Sequence, residues 1–471
     1  MTISRLIYIL IFIFLFRLFA LKIMNIDLYV DETYYWYWSK HLDFGYYSKP
    51  PLIAWIIYFF TSLFGDNLFA IKIASSIFYS LAAIFIYLSA KEFFDKKIAF
   101  FSAITYITLP GVSYLSQVIS TDSLLSFFWI GSFYFFIKSI KENLLKYWIL
   151  LGIFIGFGLL SKPTMILFPF SIGVYILFKK ELLKNRYLYI SLIIAFFIYL
   201  PNLIWNYYHN FIMFNHVKEI SHIEKSNHFN IHKLLEFLGG QFLIFGIIFF
   251  GVYLYKIKYF FKFKLLFIFS FTFLFIISLQ ALLSKANINW ALPTYLTASI
   301  LVTYYLLKAK PKLYFIGLIL NIALSLIIYF YHPITSFLGI ELSKKNDFYK
   351  RVLGWSNISK KIEKIIKNYP NTTLLFTDRG TMSQMIFYIN PHPFNAQFFN
   401  PSKKIVNQFA ISTNPNNYKH KDFILITKFN NINYIKKYFK SCIFLQKVQT
   451  KVYKDFKREY YIYLCKNFKG Y

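Results

Sequence analysis

Acidic residues are what this sequence has least of for its size: 20 Asp and Glu stand against 52 Lys and Arg in 471 residues, a formal net charge of +32. Charged residues of both signs make up only 15%, against 57% hydrophobic ones, and they sit in short clusters between long apolar runs. A soluble domain spreads its charge over amphipathic faces, so this spacing argues against one and fits an all-α polytopic membrane protein. In a soluble chain the positive excess would mark a nucleic-acid binder; between membrane spans it follows from the preference of cytoplasmic loops for Lys and Arg, and nucleic acid is set aside as a partner. Cysteine is scarcer still. Cys442 and Cys465 fit no metal motif by spacing; outside the cytoplasm they can pair, and two free thiols are the alternative. No dense pairing of metal-ligand spacings links His209, His216, His222, His228 and His232, so no cofactor is expected and a divalent cation has no motif behind it.

What is present is a series of apolar runs. About 20 such residues cross roughly 30 Å of hydrocarbon as a helix, and eleven spans are predicted near 4–25, 67–90, 98–116, 122–137, 147–160, 164–178, 187–205, 237–255, 265–283, 290–307 and 312–331. The first contains Arg17, lacks a small-residue cleavage site and leads straight into an acidic motif, so it reads as a retained helix and not as a signal peptide. With the N-terminus inside, every second connection is basic: Lys91, Lys96 and Lys97; Lys138, Lys141 and Lys146; Lys179, Lys180, Lys184 and Arg186; Lys256, Lys258, Lys262 and Lys264; Lys308, Lys310 and Lys312. The intervening connections, including a long first loop at 26–66, are nearly free of such clusters and belong outside the cytoplasm. The same alternation predicts a multi-helix domain over 1–332 and an outer domain over 333–471. In the latter, "TLLFT" (373–377), "DFILIT" (422–427) and "EYYIYLC" read as strands and "DRGTMSQMIFYI" as a helix, a small α/β domain with no motif for chemistry.

With acids so few, those near the outer ends of helices weigh individually: Asp27, Asp31, Glu32, Asp43, Asp66 and Asp122. In the first loop, "DETYYWYWSKHL" and "PPLIAWIIYFFTSLFG" read as interfacial helices, with Asp31 at the start of the first and Pro50 and Pro51 opening the second. Asp31 is expected there as an N-cap, with Glu32 favoured by the helix dipole, or as a general base, and the two roles are compatible because a carboxylate has two oxygens. Lys49 follows the Tyr46–Tyr47 pair and precedes two prolines, so its ammonium is held in place and suits a phosphate; snorkelling towards lipid head groups is the bland alternative. Asp122 and Lys162, at the outer ends of other helices, would add a second acid and a second cation at one depth.

These residues carry a resemblance. "DETYYWYW", "GYYSKPPLIAW", "STDSLLSFFW", "GLLSKPTMILFP", "LPNLIWNYYHNF", "EFLGGQF" and "NINWALPTYL" follow one another in an order that resembles bacterial membrane glycosyltransferases related to protein O-mannosyltransferases and the lipid A aminoarabinose transferase. The resemblance implies a GT-C fold, a polyprenyl-phosphate sugar as donor, a lipid or glycan acceptor at the periplasmic face of the inner membrane, and transfer with inversion. By position it implies Asp31 as base, Asp122 as second acidic residue, and Lys49 and Lys162 as ligands of the carrier phosphate. Apart from the resemblance, Tyr46, Tyr47, Asn206 and His209 are candidate substrate contacts, the other histidines of that loop read mostly as loop or interface residues, and Glu32 either shares the base role or supports the helix start. Ser48 stands where the aminoarabinose transferases carry an acid, which argues against that sugar. A protein O-glycosyltransferase, or a flippase for a polyprenyl-phosphate lipid, is the competing expectation. A transporter, however, places its ionisable groups near the bilayer midplane, whereas these acids fall at the outer boundary.

Overall fold

The computed structural model describes residues 2–221 and 229–471. It divides into two compact units, one formed by the N-terminal stretch to Met24 with Asp43–Gly45 and Lys49–His332, the other by Asn25–Leu42, Tyr46–Ser48 and Pro333–Tyr471. Most of the residues flanking the acidic motif of the first loop therefore cluster with the C-terminal region.

The first unit is helical. Eight of the predicted spans coincide with Ile3–Met24, Leu68–Lys91, Thr121–Glu142, Leu145–Ser161, Arg186–Tyr208, Lys264–Leu283, Thr294–Ala309 and Pro311–Tyr329, while the span near 98–116 is broken into Lys96–Ile107 and Pro110–Leu115, that near 164–178 into the 3₁₀ turn Pro163–Ile166 and the helix Leu167–Ile176, and that near 237–255 into Ile231–Phe245 and Ile247–Tyr255. Among the described residues, six helices are long and apolar enough to cross a membrane. The breaks have local causes. Pro110 lacks the N–H that would continue the preceding helix, and Gly246 sits between its two helices at φ 89°, a conformation that costs glycine little. Helix starts are capped: the Asn67 side chain accepts from the Ala70 N–H at 2.9 Å, and Ser120 from the Asp122 N–H at 3.3 Å.

Packing relies on small residues and aromatic edges. On Leu145–Ser161, a Cβ at Gly152 would lie 2.5 Å from the Ser191 carbonyl oxygen and one at Gly156 2.7 Å from Ile198 Cβ, so these glycines, four residues apart, let the helix Arg186–Tyr208 approach closely. Trp129 is buried with its ring edge-on to Phe168 and Phe273, at centroid distances of 5.1 and 5.0 Å. Arg17, 1% exposed in the middle of the first helix, has its charge met by helix-end and phenolic oxygens: Nη2 donates to the Ile107 carbonyl at 2.8 Å and Nε to the Tyr329 hydroxyl at 3.1 Å.

The second unit is built on a five-stranded sheet. Its strands are β1 (Thr373–Phe376), β2 (Gln397–Phe398), β3 (Phe423–Thr427), β4 (Phe439–Tyr453) and β5 (Phe456–Phe468), in the order β2-β1-β3-β5-β4. β1 pairs in parallel with β2 and β3, and β5 runs antiparallel to β3 and β4. The central β1 and β3 are buried along their whole length, as a strand covered on both faces must be. Cys442 and Cys465 face each other across β4 and β5 and form a disulfide. Asp27, from the first loop, caps the helix Trp355–Ile366: its Oδ2 accepts the N–H groups of Trp355 and Ser356 at 2.7 and 3.2 Å.

A leucine at position 152 has no room, and overpacking of this kind costs about 1–3 kcal/mol. Gly152→Leu is expected to lower the thermal unfolding midpoint of the detergent-purified protein, whereas Gly173→Leu, at a position with nothing within 4 Å, leaves it nearly unchanged.

Candidate active site

In the helical unit three connections converge on Asp122. Ser120 ends the extended stretch and starts the helix Thr121–Glu142, placing Asp122 in its first turn, where the helix dipole favours a negative charge. Lys162 follows Leu145–Ser161 and precedes Pro163; the proline forces it into an extended conformation (φ −156°, ψ 133°) and ends the helix there. Asn289 lies in the 3₁₀ turn Ile288–Ala291. The Lys162 ammonium donates to Asp122 Oδ1 at 2.6 Å and Asn289 Nδ2 donates to Oδ2 at 2.8 Å. Asp122 is 5% and Lys162 8% exposed, so each charge depends on the other for compensation. Asn289 has no signal of its own in the sequence beyond its place in "NINWALPTYL".

The C-terminal end of Arg186–Tyr208 organises a second cluster. Asn202 Nδ2 donates to the Phe44 carbonyl at 2.6 Å, and Trp205 Nε1 donates to Asp43 Oδ2 at 2.7 Å, so Asp43 serves to hold its own loop. Asn206 is fully buried; its Nδ2 donates to the Asn202 carbonyl at 2.9 Å, while its Oδ1 has no hydrogen-bond partner among the described residues. His209 stacks on Trp205 at 3.9 Å and its Nδ1 meets the Trp205 carbonyl at 2.8 Å. Lys49 is half-buried ahead of Pro50, Pro51 and the helix Leu52–Phe64. His222 and His228 lie outside the described residues, and among those described no group of three or more His, Cys, Asp or Glu is placed to hold a metal ion.

In the second unit the helix Val30–Ser39 carries the acidic pair, and here the expected capping role is corrected. The N-cap position is Tyr29, and the acid that serves the helix start is Glu32, which is fully buried and accepts the Tyr29 N–H at 2.8 Å. A carboxylate at the third helical residue reaches back to the cap, as in a capping box. Asp31 is thereby left for another partner: its Oδ1 accepts Arg379 Nη1 at 2.8 Å, with 58% of the Asp31 side chain and 38% of the Arg379 side chain exposed. Burial alone would pull the Arg379 guanidinium down, and Asp31 with Tyr34 more than offsets this, so it stays above its ordinary value. Burial likewise pushes the Tyr34 hydroxyl up. Tyr46 is buried, stacks on Trp38 at 4.6 Å and donates to the Trp38 and His41 carbonyls at 3.2 and 3.0 Å, closing the C-terminal end of the same helix. Tyr47 is buried, and its N–H donates to Gln408 Oε1 at 2.8 Å. Arg379 was missed because the pairing spans 348 residues.

A family model described as dolichyl-phosphate-mannose-protein mannosyltransferase matches residues 48–205. The lipid A galacturonosyltransferase RgtD of Rhizobium johnstonii is 30% identical over 384 residues, which are 79% of this chain and 80% of that protein. The chain belongs to the ArnT-like family of GT-C glycosyltransferases. It is a glycosyltransferase and a multi-pass inner-membrane protein. An undecaprenyl phosphate-alpha-4-amino-4-deoxy-L-arabinose arabinosyl transferase of Pseudomonas savastanoi pv. phaseolicola is 27% identical over 178 residues, 35% of this chain and 32% of that one. The GT-C fold is shared with the crystal structure of ArnT from Cupriavidus metallidurans bound to undecaprenyl phosphate, with a TM-score of 0.69 over 98% of this chain and 97% of that one at 13% identity.

Removing one partner of a buried ion pair leaves the other uncompensated, at a cost of about 3–5 kcal/mol, whereas replacing both by apolar groups is often neutral. Asp122→Ala is therefore expected to lower the unfolding midpoint markedly, and Asp122→Leu combined with Lys162→Met to recover most of that loss while remaining inactive in glycosyl transfer.

Proposed function

We propose that this glycosyltransferase moves a sugar from a polyprenyl-phosphate carrier to lipid A, the lipopolysaccharide core or another envelope acceptor, with inversion. The observation that carries the reading is the relatedness along 80% of a lipid A galacturonosyltransferase. It favours a uronic acid as the sugar, and Ser48, where the aminoarabinose transferases carry an acid, agrees with that choice. We assign 1–332 as the transferase domain with eleven crossings, the first loop and 333–471 lying in the periplasm. The alternation of basic connections supports this orientation, as does the Cys442–Cys465 disulfide, because disulfides persist in oxidising compartments.

The proposed chemistry is a single displacement. An acceptor hydroxyl attacks the anomeric carbon, the bond from that carbon to the phosphate oxygen breaks, and polyprenyl phosphate leaves. Asp31 takes the hydroxyl proton. Lys49 and Lys162 meet the negative charge that grows on the departing phosphate; an ammonium has three donors, so Lys162 keeps Asp122 while accepting a new partner. Asp122 is the second acid, the partner of that ammonium, and Tyr46, Tyr47, Asn206 and His209 are the residues we propose as sugar contacts. The activated carrier supplies the driving force, so no nucleotide is needed.

The test is transfer by the purified protein in proteoliposomes holding a polyprenyl-phosphate-linked galacturonosyl donor and lipid A. Asp31→Asn and Lys49→Ala are each expected to lower the rate by about 100-fold or more with insertion unchanged. Wild-type transfer by the double variant would overturn the assignment.

A further inference from the structure

The C-terminal region contains no motif for chemistry, yet four contacts from it hold the segment that carries Asp31. Gln384 Nε2 donates to the Leu28 carbonyl at 2.8 Å, the Tyr388 hydroxyl accepts the Leu28 N–H at 2.8 Å, the Gln408 N–H donates to the Tyr34 hydroxyl, and Arg379 binds Asp31. Leu28 is thus held through its backbone and Tyr34 through its hydroxyl, and the only one of the four contacts made to an ionised side chain is that of Arg379.

Arg379 is itself held. It opens the helix Arg379–Tyr388, whose cap Asp378 accepts the Thr381 N–H at 2.9 Å and the Lys428 ammonium at 3.0 Å, and its guanidinium lies 4.7 Å from the centre of the Tyr34 ring. A planar guanidinium lying near an aromatic ring offers its donors in a fixed fork. One of them takes Asp31 Oδ1, while Asp31 Oδ2 accepts no hydrogen bond among the described residues and the side chain is more than half exposed. A carboxylate with one oxygen pinned and the other open is what proton abstraction from an acceptor hydroxyl requires.

We propose that Arg379 is the positioning residue of the base: it fixes the Asp31 carboxylate by one oxygen so that the other meets the acceptor hydroxyl. This rests on the reading of Asp31 as base. It gives the C-terminal region a direct part in the reaction. A half-exposed ion pair contributes little to stability, so a purely structural pair would leave turnover almost untouched when broken.

The experiment compares Arg379→Ala, Arg379→Lys and Asp31→Asn in the proteoliposome assay, with the unfolding midpoint of each. For Arg379→Ala the expected result is a fall in kcat of about 100-fold, the effect of misplacing a reacting group by about 1 Å. The donor KM should change by less than about threefold, as for a group acting only in the transition state. The unfolding midpoint should stay near wild type, added guanidinium ion should restore part of the rate, and Arg379→Lys should recover only part of it. Wild-type kcat in Arg379→Ala with an inactive Asp31→Asn would refute the positioning role and spare the base; an active Asp31→Asn would refute the base itself. A loss of kcat matched by a lowered midpoint and unmoved by guanidinium would make Arg379 structural and overturn the proposal.

Discussion

A lysine ammonium and an aspartate carboxylate 2.6 Å apart, each residue less than a tenth exposed, set the terms for the helical unit. Desolvating either charge alone costs several kcal/mol, so neither can be placed without the other, and the second carboxylate oxygen still needs a donor. Asn289 supplies it. Satisfying that one carboxylate requires a serine-capped helix start, a helix ended by proline and a 3₁₀ turn to arrive at the same point. Arg17, elsewhere in the bundle, is met only by neutral oxygens, the Ile107 carbonyl and the Tyr329 hydroxyl, and its Nη1 has no hydrogen-bond partner among the described residues.

The second unit follows a different economy. Apart from the buried Glu32 and Asp347, most of its charges are at least partly exposed, and order comes from hydrogen bonds over long sequence distances and from stacked aromatics. Trp38 and Tyr46 lie nearly parallel at 4.6 Å, and the Tyr46 hydroxyl finishes the helix that Glu32 begins. The acidic pair therefore splits into two jobs: Glu32, buried, stabilises the helix start, while Asp31, exposed, is held from outside by Arg379. The aromatic residues of the motif, Tyr34 to Trp38, are buried and form part of the core of this arrangement.

Much of this was legible in the sequence, for reasons that can be named. Long apolar runs leave little choice but helices, and β1, β3 and β5 were readable because buried strands are short continuous apolar runs. β4 escaped notice: its Lys, Gln and Thr residues leave most of its length exposed, and only its pairing with β5 makes it a strand. Asp122 and Lys162 were recognisable because charge is rare at such positions, whereas Asn289 and Arg379 were not, since an asparagine near a helix start and an arginine in a mixed domain are ordinary until the fold supplies their partners. The capping role fell to Glu32 instead of Asp31 because the helix begins one residue earlier than the acidic pair suggested.

Lipid mass spectrometry tests most directly the proposed transfer of an acidic sugar from a lipid carrier to an envelope acceptor. Lipid A and core would be extracted from otherwise identical cells with and without this chain, both able to make the polyprenyl-phosphate galacturonosyl donor. The expected result is a species heavier by one uronosyl unit that appears only when the chain is present. An identical set of envelope glycolipids in both cells would contradict it.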